Sequence, residues 1–71
     1  MNPQDKTIPD ILREHQGCAL DSVQTSAILD LSRSGLHKLT KKAAIPHYRL
    51  GDRVKFDPIV LLSWWEERRV G

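Results

Sequence analysis

Three features of this sequence predict a small, mainly α-helical domain with one β-hairpin. Four capping signals (Thr7, Asp21, Ser32 and Asp57-Pro58) each precede a stretch with helical spacing of apolar residues. One segment, His47–Phe56, instead alternates apolar and polar residues around Gly51-Asp52. The chain is only 71 residues long, and a fold of that size buries about 60% of the surface its unfolded chain exposes. That leaves little room for an enclosed active site.

The first helix follows Thr7, with Pro9 in its first turn and Asp10 three residues after the cap. Ile8, Ile11, Leu12 and His15 have helical spacing, and Gly17 serves as terminator. The second helix opens on a capping box, Asp21 with Gln24, and Leu20 at the preceding position can pack back onto it. It carries Val23, Ala27, Ile28 and Leu29 and ends near Leu29. After a turn of about three residues, Ser32 caps a third helix from Arg33 to about Lys42. Two short helices meeting across such a turn form a helix-turn-helix.

The third helix is sharply divided. At 100° per residue, Leu36, Leu39 and Ala43 fall within an arc of about 60°. Arg33, Ser34, His37, Lys38, Lys41 and Lys42 occupy the other side, with no Glu or Asp to form the i,i+4 pairs common on a merely solvated helix. Pro46 is expected to end the helix by forcing Ile45 into extended geometry.

For the hairpin, parity favours a three-residue loop, Gly51-Asp52-Arg53. That register pairs Leu50 with Val54 and Tyr48 with Phe56, and sets Arg49 opposite Lys55 on the outer face. Asp57 and Pro58 then start a last helix running to about Arg69. Arg68 and Arg69 suit its C-terminal dipole. Trp64 and Trp65 are adjacent, so they diverge by about 100°. One is expected in the core; the other covers a neighbouring helix or meets a partner. The whole reads as a winged helix-turn-helix over 20–71, preceded by an N-terminal tail and short supporting helix over 1–19.

Charge follows this plan. Residues 31–56 contain Arg33, Lys38, Lys41, Lys42, Arg49, Arg53 and Lys55 against Asp52 alone, whereas the chain as a whole carries +2. A basic block within an otherwise acidic small chain is the footprint of a polyanion partner. A basic, hydroxyl-bearing helix fits the major groove of B-DNA, about 12 Å wide. Arg33, Ser34, His37 and Lys38 are the candidate base readers. Lys41, Lys42 and the Ser32 hydroxyl are candidate phosphate contacts. Arg49, Arg53 and Lys55 of the wing can reach the adjacent minor groove or phosphates.

Other chemistries are poorly served. Two ligands, His15 and Cys18, make no metal site, and neither His37 nor His47 converges with them. No Ser/His/Asp grouping has a pocket, so no catalytic residue and no cofactor are expected. Cys18 reads as a small, partly buried apolar residue, and a single thiol fits a reducing cytoplasm. No apolar run approaches the roughly 18 residues of a membrane span, and the start MNPQDKTIPD lacks the regions of a signal peptide.

The ordered set Leu20, Ile28, Leu29, Leu31, Ser32, Arg33, Leu36, Leu39, Pro46, Tyr48, Arg49, Leu50, Gly51, Phe56, Leu61 and Trp64 resembles the excisionase-like and AlpA-like small DNA-binding proteins of the MerR-type winged helix-turn-helix superfamily. The likeness covers about two-thirds of the chain, from Leu20 to Trp64. Asp30 and Ala43 stand where that pattern often has Gly, and Gly35 where it usually has Thr. The resemblance implies sequence-specific binding to double-stranded DNA by a nucleoid-associated cytoplasmic protein. It also implies bending near an attachment site to direct an integrase, or repression or activation of mobile-element promoters as a small transcriptional regulator. It implies cooperative self-association on DNA by a protein that is monomeric in solution. No small-molecule effector, membrane partner or enzymatic activity is expected. The competing reading is an interaction module whose basic face docks an acidic protein.

Overall fold

The computed structural model describes residues 6–68. The polar start over 1–5 and the last-turn Arg69 lie outside the described residues. Four helices and one antiparallel hairpin follow in the order α1 (Ile8–Glu14), α2 (Ser22–Ile28), α3 (Arg33–Lys41), β1 (Tyr48–Leu50), β2 (Arg53–Lys55) and α4 (Pro58–Glu67).

Each helix starts where its cap requires. Thr7 and Asp21 form capping boxes with Asp10 and Gln24, in which each cap side chain accepts from the backbone three residues on. The Ser32 hydroxyl accepts from Gly35 N at 3.0 Å. Asp57 Oδ1 accepts from Ile59 N and Val60 N. These caps satisfy backbone donors that a helix leaves unpaired, each cap contributing about 1 kcal/mol.

Helices α2 and α3 share one way of stopping. Leu31 N donates to Ser26 O and Asp30 N to Ala27 O, at 2.9 and 3.3 Å. Ala44 N donates to Leu39 O and Ala43 N to Thr40 O, at 2.9 and 3.0 Å. This pair of bonds is the Schellman motif, which needs a left-handed residue just past the helix. Asp30 and Ala43 supply it at φ 56° and 54°. Ala43 is therefore exposed and off the apolar face of α3, contrary to expectation. The helix stops at this reversal, before the restriction imposed by Pro46 is reached.

The hairpin departs from the expected register. Tyr48 pairs with Lys55, Arg49 with Val54 and Leu50 with Arg53, around the two-residue loop Gly51-Asp52. Gly51 has φ 66°, and Asp52 is not left-handed. That is the type II′ pattern, with glycine at the first loop position. Phe56 is also unavailable to Tyr48. Its N–H and C=O exchange two 2.8 Å bonds with Leu20, which ties the hairpin to the segment before α2. Cross-strand partners share a face, so Arg49 lies with Val54, while Tyr48, Leu50, Arg53 and Lys55 share the other face. The alternation is legible in the sequence, but the expected register requires Tyr48 and Leu50 in the core. They are 51% and 63% exposed.

One core joins all the helices: Leu12, Leu20, Leu29, Leu36, Ile45, Phe56, Leu61 and Leu62. Helix α1 packs on α4 and α2, and α2 packs on α3. Trp64 and Trp65 are both half-buried against this core, rather than one being fully enclosed. Trp64 Nε1 donates to Ala44 O at 2.9 Å, and the Arg68 guanidinium lies 4.3 Å from the Trp64 ring centroid and donates to the same carbonyl. Trp65 borders a recess with Pro9 and Arg13 of α1. Cys18 is exposed, not partly buried, because it follows the left-handed Gly17 in the turn after α1. Among the described residues, no helix is long and apolar enough to cross a membrane.

Candidate nucleic-acid interface

The surface of α3 follows from its cap and its stop. With Ser32 fixing the start, Leu36 is 2% exposed and Leu39 packs against the core. The helical period then turns Arg33, Ser34, His37, Lys38, Lys41 and Lys42 outward, and all six are exposed, as is Ser32. The Trp64 and Arg68 bonds to Ala44 hold the connection between α3 and β1, and so position the helix relative to the hairpin.

The hairpin adds Arg49 and Arg53, both exposed, and the half-buried Lys55. Arg49 is separated from the other two by the observed register: it shares the Val54 face, whereas Arg53 and Lys55 lie on the face of Tyr48 and Leu50. Val54 borders a shallow recess with Ser22, Arg33, Ser34, His37 and Thr40. The hairpin, the start of α2 and the outer side of α3 are thus contiguous. Ser22 and Thr40, which line this recess, are not among the residues the sequence singles out. Tyr48 and Leu50 were missed as surface residues because strand alternation was assigned to the wrong face. Glycine at the first loop position was the signal that could have corrected it.

Among the described residues, the ion pairs are Lys6 with Glu14 and Asp10 with Arg13. Both involve α1 and its flank. None of the seven cations between residues 31 and 56 is in an ion pair with a described residue. Gathering like charges without partners is unfavourable for the free protein.

The chain has three histidines. His37 is exposed on α3. His15 Nδ1 donates to Ile11 O at 3.0 Å and His47 Nδ1 to Ile45 O at 2.8 Å. Among the described residues, no three His, Cys, Asp or Glu side chains converge as metal ligands. No family model, curated protein or solved structure matches this chain significantly.

Proposed function

We infer that this chain is a winged helix-turn-helix protein that binds double-stranded DNA. Helix α3 enters the major groove, and the hairpin acts as a wing on the adjacent minor groove or phosphates. The observation that carries this reading is the set of exposed, unpaired cations on one side of α3, continuous with a basic hairpin, while the opposite side of the helix holds Leu36 in the core. A protein-docking surface of standard type is centred on apolar anchors and depleted of charge at its core, which α3 is not.

Likeness to the excisionase-like and AlpA-like proteins extends the proposal. The protein bends DNA near an attachment site and steers an integrase, binding adjacent sites cooperatively, or it regulates a mobile-element promoter through the same contacts. An integrase encoded beside it favours the former; a divergent promoter without one favours the latter.

The test is affinity for random duplex DNA as a function of salt. About six phosphate contacts give a slope of log K against log salt near −5. Arg33→Ala relaxes discrimination at one base pair by about 1–3 kcal/mol, whereas Arg53→Ala weakens binding evenly across sequences and flattens the slope by about 1. The reading fails if no duplex binds at low salt with protein at high micromolar concentration. Binding to an acidic protein instead would establish the competing function.

A further inference from the structure

The hairpin carries an apolar feature that phosphate binding does not need. Leu50 is 63% exposed and Tyr48 51% exposed. The observed register places both on one face with Arg53 and Lys55, and sets Leu50 directly opposite Arg53 beside the turn. The core makes no use of this face. It takes Phe56 and the flank of Val54 from the hairpin instead. Because the loop residues are Gly51 and Asp52, Leu50 is the large apolar side chain nearest the tip of this hairpin.

We propose that Leu50 is a wedge that enters the minor groove and partly unstacks one base step, kinking the duplex, while Arg53 and Lys55 hold the flanking phosphates. This rests on the duplex-binding reading above and deepens it by naming the residue that deforms the DNA. Charge complementarity selects the occupant: on the face of Leu50 the strands contribute Arg53 and Lys55 and no acid, and the minor groove is a narrow negative channel about 6 Å wide. Apolar side chains inserted between base steps there kink DNA by about 20–90°. Asp52 in the turn is the one opposing charge. It favours entry by the strand flank, where Leu50 lies, over entry by the turn itself. The insertion prefers pyrimidine–purine steps, which unstack most easily.

The test uses the full chain and 30-base-pair random duplexes that differ only in a central TA, CA, AA or GC step. A 2-aminopurine in the step reports unstacking, and end-attached fluorophores report the bend. The wild type is expected to raise 2-aminopurine fluorescence and shorten the end-to-end distance, most at TA and CA. Leu50→Ala abolishes both signals yet keeps the salt slope of binding, because every cation remains. Leu50→Phe restores them. Because Leu50 is exposed, both variants keep the wild-type melting temperature, which rules out misfolding as the cause. Unstacking and bending unchanged in Leu50→Ala would overturn the wedge alone. So would a loss of cooperativity between adjacent proteins without loss of bending, which would make the face a contact for a second copy. Absence of duplex binding by the wild type would overturn the DNA reading and the wedge together. Binding to phosphatidylserine vesicles in its place would identify the face as a lipid contact.

Discussion

Helices α1 and α3 are similar in length and in the way they begin, yet they treat charge in opposite ways. On α1, Arg13 faces Asp10, Lys6 reaches Glu14, and the acid in the first turn completes the cap. Its charges are settled within the protein. Helix α3 has no acid at all, and Arg33, Lys38 and Lys41, with Lys42 at its C-cap, form no ion pair with a described residue. Packing separates the two helices as well: α1 lies against both α4 and α2, whereas α3 rests on α2 and delivers Leu36 to the core. Stability and the proposed binding are drawn from different parts of this small domain. Substitutions on the two sides should then fail in different ways.

The largest effect is expected at the shared core. Phe56→Ala removes a fully buried ring and the side chain behind the Leu20 bridge, and should cost about 3–5 kcal/mol. At roughly 0.05–0.15 kcal/mol per residue a domain of this size is stable by about 4–11 kcal/mol, so that variant should lose a large part of its stability, read as a sharp fall in the urea midpoint followed by circular dichroism. An unchanged midpoint in Phe56→Ala would mean that the core described here is wrong.

Next in size are two stabilising changes that leave the basic face untouched. Thr25 is fully buried, and its hydroxyl has no hydrogen-bond partner. An unpaired buried hydroxyl costs about 1–3 kcal/mol, so Thr25→Val should raise stability in urea by about 1 kcal/mol. Ala43 holds a left-handed backbone that costs an alanine about 1–2 kcal/mol. Glycine relieves this but adds unfolded-state entropy, leaving a net gain of about 0.5–1 kcal/mol for Ala43→Gly. Neither variant should change the salt slope of DNA binding. A change in either slope would show that the stability and binding regions are coupled.

The smallest effect on stability is the most telling for function. Lys38→Glu creates the pairs that α3 lacks, with Lys41 and Lys42, and should stabilise the fold by up to about 0.5 kcal/mol. The same substitution should weaken duplex binding severely, because it exchanges a cation for an anion on the candidate interface. Loss of both stability and binding would indicate that the Lys38 side chain has a structural role. Loss of neither would remove α3 from the interface.

How much of this was legible in advance depended on the range of the interactions. The capping residues Thr7, Asp21, Ser32 and Asp57 mark helix starts through bonds spanning three residues, and their helices begin where those residues require. The division of α3 into a basic side and a Leu36 side is likewise periodic, so its outward residues other than Thr40 were identifiable. The hairpin was identifiable from alternation, but its register was not, since a shift of one residue exchanges the faces. Tyr48 and Leu50 look like core residues until the core is seen to be filled by Phe56, Leu20 and Ile45.

The sequence by itself therefore determined the number and order of elements, all four helix starts with their capping residues, and the concentration of cations between residues 31 and 56. Each depends on groups within a turn or two along the chain. Tertiary structure decided which face of the hairpin met solvent, where Trp64 and Trp65 lay, and that Asp30 and Ala43 would be held left-handed. Those outcomes depend on competition for one small core among residues far apart in sequence: Leu20 with Phe56 across 36 positions, and Ala44 with Trp64 across 20. Local spacing carries no information about which of them wins.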